Sequence, residues 1–209
     1  MAVTQKISHS ALRVFLFLIL LFFISGNNIW AQFRVQSGAT LSFAGEKSAI
    51  YNASNMFTGK AGLCYSFSVT EFLSIQPGIF LAMKGGRYYS ARVRARNPAH
   101  LNYIEIPVLC SIRLLKETLD LYLGPYVGFL ISSIEIDGGQ DWTSIQNKIR
   151  NYDIGVSLGA RCYIIKRVFV EIQFNHGLTK VVYDPNPAPR ALYRFHKNKT
   201  LSLLVGFNI

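Results

Sequence analysis

Ser90, His100, Ser132, Ser133, Glu135 and Asp137 carry the groups that acyl transfer needs: a hydroxyl nucleophile, an imidazole base and a carboxylate to orient it. Six polar residues close to chain connections are also what any solvated rim supplies, so none is assigned as catalytic and the chain is not read as an enzyme. His100, His176 and His196 would be the metal ligands, but each stands on a different segment with no partner at ligand spacing. No metal and no cofactor is expected. Cations give a stronger signal. One stretch holds Arg87, Arg92, Arg94 and Arg96, and another holds Lys180, Arg190, Arg194, Lys197 and Lys199, with Tyr88, Tyr89, Tyr183 and Tyr193 interleaved. Guanidinium forks match phosphate oxygens in geometry. These two stretches are therefore read as a basic surface for anionic head groups or an acidic partner, while Glu135, Asp137 and Asp141 make the stretch between them acidic.

A second set of charges sits where charge is expensive. Residues 103–132, YIEIPVLCSIRLLKETLDLYLGPYVGFLIS, are largely apolar, yet Glu105, Arg113 and Asp120 fall on one side of a period-two alternation. The same alternation runs through 151–162, where Asn151, Asp153, Gly155, Ser157, Gly159 and Arg161 oppose Tyr152, Ile154, Val156, Leu158, Ala160 and Cys162. Carried from strand to strand, the parity gathers Arg34, Lys60, Lys84, Glu105, Arg113, Asp120, Asp153, Arg161 and Glu171 on one face. Both signs are present, so these groups can pair, as buried charges must.

The elements that position them read as eight strands, near 33–44, 57–69, 72–84, 101–114, 119–132, 150–164, 168–180 and 199–209. Connections two, four and six are very short: Thr70-Glu71, Leu115 to Thr118, and Ile165 to Arg167. Connections one, three, five and seven run roughly 12 to 18 residues, the asymmetry of an up-and-down barrel with tight turns at one end and long loops at the other. A sandwich would also alternate, but with its apolar face inward. A soluble ligand-binding barrel would need an apolar lining where this chain puts nine charges. The expectation is therefore an all-β, eight-stranded antiparallel transmembrane barrel, with lipid on the apolar face and a closed polar interior on the other. Pro77, Pro107 and Pro125 lie within these strands, where a barrel has no edge to hide a missing donor. Bulges beside Gly78 and Gly124 are the expected remedy at Pro77 and Pro125; nothing in the sequence accounts for Pro107. Phe33, Phe43, Phe57, Phe72, Tyr103, Tyr152, Tyr163, Phe169 and Tyr183 fall near strand ends, as interfacial aromatic girdles would.

The first 31 residues have the parts of an export signal: Lys6 and Arg13, an apolar run from Val14 to Ile24, and a polar tail ending Ile29-Trp30-Ala31. That run is too short to span a bilayer as a helix. Cleavage is expected after Ala31, leaving 32–209 as one barrel domain. The formal charge is +11, of which the export segment accounts for only Lys6 and Arg13. Such an excess points to anionic neighbours. An exported chain does not normally meet nucleic acid, whereas a phosphate-rich outer leaflet supplies the same electrostatic partner. Cys64, Cys110 and Cys162 are odd in number and lack metal-like spacing, so three free thiols are expected, Cys64 inward and the other two outward.

The segments LSIQPGIFLAMKGG, YIEIPVLCSIRL, LYLGPYVGFLIS and YDIGVSLGARCYI, followed by a closing LLVGFNI, resemble in this order the PorT-like outer-membrane β-barrel family of Bacteroidota. The resemblance covers nearly all of the mature chain, and its most specific pieces are Tyr103-x-Glu105-x-Pro107 and Gly124-Pro125-Tyr126. It implies an outer-membrane barrel, with one branch of the family associated with type IX secretion. The chain ends on Ile209 instead of the terminal aromatic that many such barrels present for assembly, Phe207 being the nearest. The functional expectation is a structural or interaction platform of the cell envelope that contacts outer-membrane lipid, lipopolysaccharide or an envelope protein. The alternatives are an accessory part of a type IX-like secretion system and a lipid A-modifying enzyme.

Overall fold

Lipid offers a backbone no hydrogen-bond partners, so strands that cross it must satisfy every N–H and C=O among themselves, which an open sheet cannot do. The computed structural model describes residues 31–43, 53–90, 95–115, 118–137, 141–144, 149–181 and 197–209. Eight long strands solve the problem by closing on themselves: β1 (Ala31–Phe43), β3 (Met56–Ser68), β4 (Leu73–Ser90), β5 (Ala95–Leu114), β6 (Leu119–Asp137), β8 (Tyr152–Tyr163), β9 (Val168–Gly177) and β10 (Lys199–Asn208). Each is antiparallel to its neighbours, and β1 pairs back on β10 from Arg34↔Asn208 to Phe43↔Lys199. Two short strands, β2 (Ala53–Ser54) and β7 (Asp141–Ser144), are added to β4 and β6. The result is a closed eight-stranded antiparallel barrel.

Its faces are inverted relative to a protein in water. Along β10, Leu201, Leu203, Val205 and Phe207 are exposed, while Thr200, Ser202, Leu204 and Asn208 are buried. Leu81, Leu123, Ile131, Ile172 and Leu203 lie in the apolar outer coat. Near the loop end the buried positions mix apolar Met56, Ala99, Leu101 and Leu130 with polar Ser42, Ser133, Asn198 and Thr200. Of the aromatic residues expected in the girdles, Phe33, Phe57, Phe72 and Tyr152 are exposed, but Tyr103 and Phe169 point inward and are fully buried. Tyr183 lies outside the described residues. Cys64 is buried, Cys110 and Cys162 are exposed, and all three thiols are unpaired.

The tight turns sit where expected. Val69 and Thr70 N–H donate to Leu73 O, Thr118 N–H donates to Leu115 O, and Ile164 N–H donates to Val168 O. Leu115 holds the turn between β5 and β6 with φ at 49°, a left-handed conformation that costs a side chain with a Cβ. Two expectations need correction. The third connection is not a long loop: β4 and β5 remain paired as far as Ser90↔Ala95, leaving only 91–94 between them. Gly85, Gly86 and Pro98 suggest a loop in the sequence, but Gly85 adopts φ 148°, donates its N–H to Ser42 Oγ (3.0 Å) and carries the strand onward. The prolines are not absorbed by bulges at their glycines either. Register is kept on both sides of each, and the ladder skips residues instead: Tyr65 and Ser66 opposite Pro77 and Gln76, Ile106 and Pro107 opposite Ile79 and Gly78, and Val108 and Leu109 opposite Pro125 and Gly124. The gap facing Pro107 lies against Gly78, so the missing donor is tolerated by pairing less there. A single register shift interrupts β5 and β6, between Asn102 and Tyr103.

The segment expected to direct export, residues 1–31, lies outside the described residues apart from Ala31, the first residue of β1.

Candidate functional site

An eight-stranded barrel encloses a space that side chains of complementary size can fill. The sequence does this by laying rings over glycines on the neighbouring strand. A Cβ on Gly155 would strike the Tyr126 ring, one on Gly159 the Tyr122 ring, one on Gly206 the Phe169 ring and one on Gly62 the Phe80 ring. Each ring then presents its face to a cation. Lys84 Nζ lies 4.8 Å from the Tyr126 centroid and 5.0 Å from that of Tyr103, Lys60 Nζ lies 4.7 Å from Phe80, and the Arg161 guanidinium lies 4.9 Å from Phe169 and 5.4 Å from Tyr122. The negative ring faces favour that placement.

Carboxylates complete the packing in two groups. In the upper one, Glu105 accepts from Lys60 (2.7 Å) and is ion-paired with Lys84 (2.5 Å), and Lys84 also reaches Asp153 (2.8 Å). Asp153 further accepts from Tyr126 OH (3.0 Å), Thr179 Oγ1 (2.9 Å) and Asn198 Nδ2 (2.9 Å). Lys60 donates to Gln173 Oε1 as well (2.8 Å). In the lower group, Arg161 donates its Nε–H to Glu171 Oε2 (2.8 Å), its Nη2 lies 2.6 Å from the same oxygen and its Nη1 lies 3.4 Å from Asp120. Tyr122 OH donates to Glu171 (2.7 Å) and Tyr163 OH to Asp120 (3.0 Å). Arg113 Nε stands 3.5 Å from Asp120.

Of the nine charges that parity put on one face, Arg34, Lys60, Lys84, Glu105, Asp120, Asp153, Arg161 and Glu171 are all at most 4% exposed. Arg113 is the exception, its side chain 29% exposed near the turn that ends β5. Sequence reasoning passed over the neutral members, Tyr122, Tyr126, Gln173, Asn175 and Asn198, although the parity that assigned Asp120 and Glu171 inward applies equally to Tyr122, Tyr126, Gln173 and Asn175.

The basic surface divides differently. Arg87 is exposed on β4 opposite Pro98, and Arg96 pairs with Tyr89 on β5, so both belong to a hairpin and not to a loop. Lys197 and Lys199 are exposed at the start of β10. Arg92, Arg94, Arg190 and Arg194 lie outside the described residues. The acyl-transfer set is not assembled among the described side chains. Ser132 Oγ accepts from Asn102 Nδ2 (2.8 Å), Ser133 is buried, and the side chains of Ser90, Glu135 and Asp137 lie outside the described residues. His176 stacks on Phe174 and His196 lies outside the described residues; the described residues hold no cluster of three or more metal-ligating side chains.

An apolar coat around a closed sheet with an ion-paired, ring-filled interior defines a transmembrane β-barrel. Residues 25–183 match the family described as outer membrane protein beta-barrel domain, and the chain belongs to that family. It is an outer-membrane β-barrel protein. Solved structures of similar fold include neisserial surface protein A, 14% identical, with 86% of this chain and 99% of that one covered and a TM-score of 0.53. Ail of Yersinia pestis, in complex with the heparin analogue sucrose octasulfate, is 11% identical over 86% of this chain and 97% of that one, with a TM-score of 0.47. OprG of Pseudomonas aeruginosa is 11% identical over 86% and 96%, with a TM-score of 0.45. At 14% identity, neisserial surface protein A speaks for a shared fold only. No curated protein matches the sequence.

Proposed function

We propose that the protein is a non-enzymatic platform of the outer membrane, exported by its first 31 residues, whose basic outer surface holds lipopolysaccharide phosphates or an acidic envelope partner. The observation that carries this reading is the hairpin of β4 and β5. Among the described side chains, the exposed apolar residues of β4 end with Met83, and the paired strands then continue for several residues that include Arg87 and Arg96. A cationic ladder rising past the lipid coat meets the head-group layer, where phosphates are dense and guanidinium forks bind them well. The filled interior favours a role at the surface over one in conduction. The narrower placement, a PorT-like barrel of Bacteroidota, is supported by Tyr103-x-Glu105-x-Pro107 and Gly124-Pro125-Tyr126, segments that supply Glu105 and Tyr126 to the interior network. An accessory role in type IX secretion rests on that resemblance alone, and a lipid A-modifying activity has no catalytic set assembled among the described side chains behind it.

The test is lipopolysaccharide retention. The Arg87→Ser/Arg96→Ser double variant should co-purify with less lipopolysaccharide than the wild type, and its retention should fall less steeply with salt. Unchanged retention and unchanged salt dependence would remove the proposal.

A further inference from the structure

Arg34 stands apart from the other buried ions. Lys60, Lys84 and Arg161 each contact at least one carboxylate, but Arg34, only 2% exposed, contacts none among the described residues. Its Nε and Nη2 are buried without a hydrogen-bond partner there. These two N–H groups form one edge of the guanidinium, the side-on fork that takes two oxygens of a carboxylate or phosphate in parallel. Arg161 turns the same edge toward a carboxylate, its Nε donating to Glu171 Oε2 and its Nη2 lying 2.6 Å from that oxygen. The same edge of Arg34 is left open by the protein.

Its surroundings add to the argument. Arg34 lies near the start of β1, opposite Asn208 of β10 and Cys64 of β3, close to the end of the barrel that carries the tight turns. Glu171, the carboxylate in its electrostatic reach, is already held by Arg161, Gln36 and Tyr122, and Arg161 itself repels Arg34. A buried guanidinium without a counter-charge is strongly unfavourable unless something supplies one.

We infer that Arg34 is an oxyanion-binding residue, its Nε–Nη2 edge receiving a small carboxylate or phosphate that enters from the tight-turn end. The purified full-length barrel in non-ionic detergent provides the test, with unfolding by urea followed at matched ionic strength in chloride, acetate or inorganic phosphate. An anion that binds only the folded state raises the folding constant by a factor of 1 + [L]/Kd, about elevenfold at ten times Kd. Wild type should show a saturable rise in acetate or phosphate over chloride, and which of the two acts identifies the ligand class. Arg34→Met should lose the rise, and Arg34→Lys, which keeps the charge but not the fork, should need at least tenfold more anion. A rise that is equal in Arg34→Met, or no difference among the three salts in wild type, would overturn the inference. Should Arg34→Met fail to fold, titration of phosphate against wild type followed by phosphorus resonance, with acetate as competitor, decides alone: saturation with displacement supports the site, and a linear response refutes it.

Discussion

Glu105 is the carboxylate on which two buried lysines converge, and Glu105→Gln would change its charge with little change of shape. The two ammonium groups lie 2.7 and 2.5 Å from its oxygens. A neutral amide has one oxygen to offer, so one lysine must face an NH2 group. Lys84 keeps Asp153 at 2.8 Å, whereas Lys60 is left with the neutral Gln173 oxygen and the Phe80 ring. The penalty therefore concentrates on Lys60. Stripping one partner from a buried pair costs about 3–5 kcal/mol. The contacts Lys60 retains point to the lower end, about 3 kcal/mol, or roughly a hundredfold in the folding constant. Reversible urea unfolding in micelles, followed by loss of the compact band on unheated gels, measures this directly. Replacing Lys60 with Met in the same chain removes the orphaned charge, so Lys60→Met/Glu105→Gln should return to within about 1 kcal/mol of wild type. A loss below about 1 kcal/mol in Glu105→Gln, or no recovery in the double variant, would refute the claim that these charges stabilise one another across the interior.

Gly206→Ala should destabilise the barrel by about 1–3 kcal/mol through overpacking, because the new methyl meets the Phe169 ring and Gln36 Cβ and no backbone atom among its nearest neighbours. Phe169→Leu in the same chain should restore part of the loss in the same unfolding assay; an additive loss would show that the ring is not the obstacle. For the thiols, Cys110 and Cys162 should react with a membrane-permeant maleimide in reconstituted bilayers, while Cys64, 2% exposed, should react only after denaturation. Labelling of Cys64 in the folded barrel at a comparable rate, read by mass spectrometry, would contradict the inward assignment.

Much of the architecture could be read from the sequence because lipid imposes a simple rule: a charge on the outer wall is costly, so the parity of Glu105 or Arg161 orients a whole strand. Strand ends were harder. The crossing needs only about 9 to 11 residues, and nothing in that requirement says that β4, β5 and β6 run to 18, 20 and 19. Gly85 and Pro98 argue for a loop locally, and cross-strand pairing overrides them. The interior partnerships were beyond parity for another reason. That Tyr126 covers Gly155, or that Lys84 bridges Glu105 and Asp153, depends on register between strands far apart in sequence. Arg34 shows the same limit, since its sequence position marks it as inward but not as the cation left without a carboxylate.

The paired strands beyond the lipid coat are gathered on one flank, with β2, β4, β5, β6 and β7 side by side, while β8, β9 and β10 contain 12, 10 and 10 residues. A cylinder with an even rim looks alike from every compass bearing in the plane of the bilayer. Among the described residues this rim has a bearing, so a neighbour docking against the raised flank would meet the molecule in one rotational setting about the membrane normal.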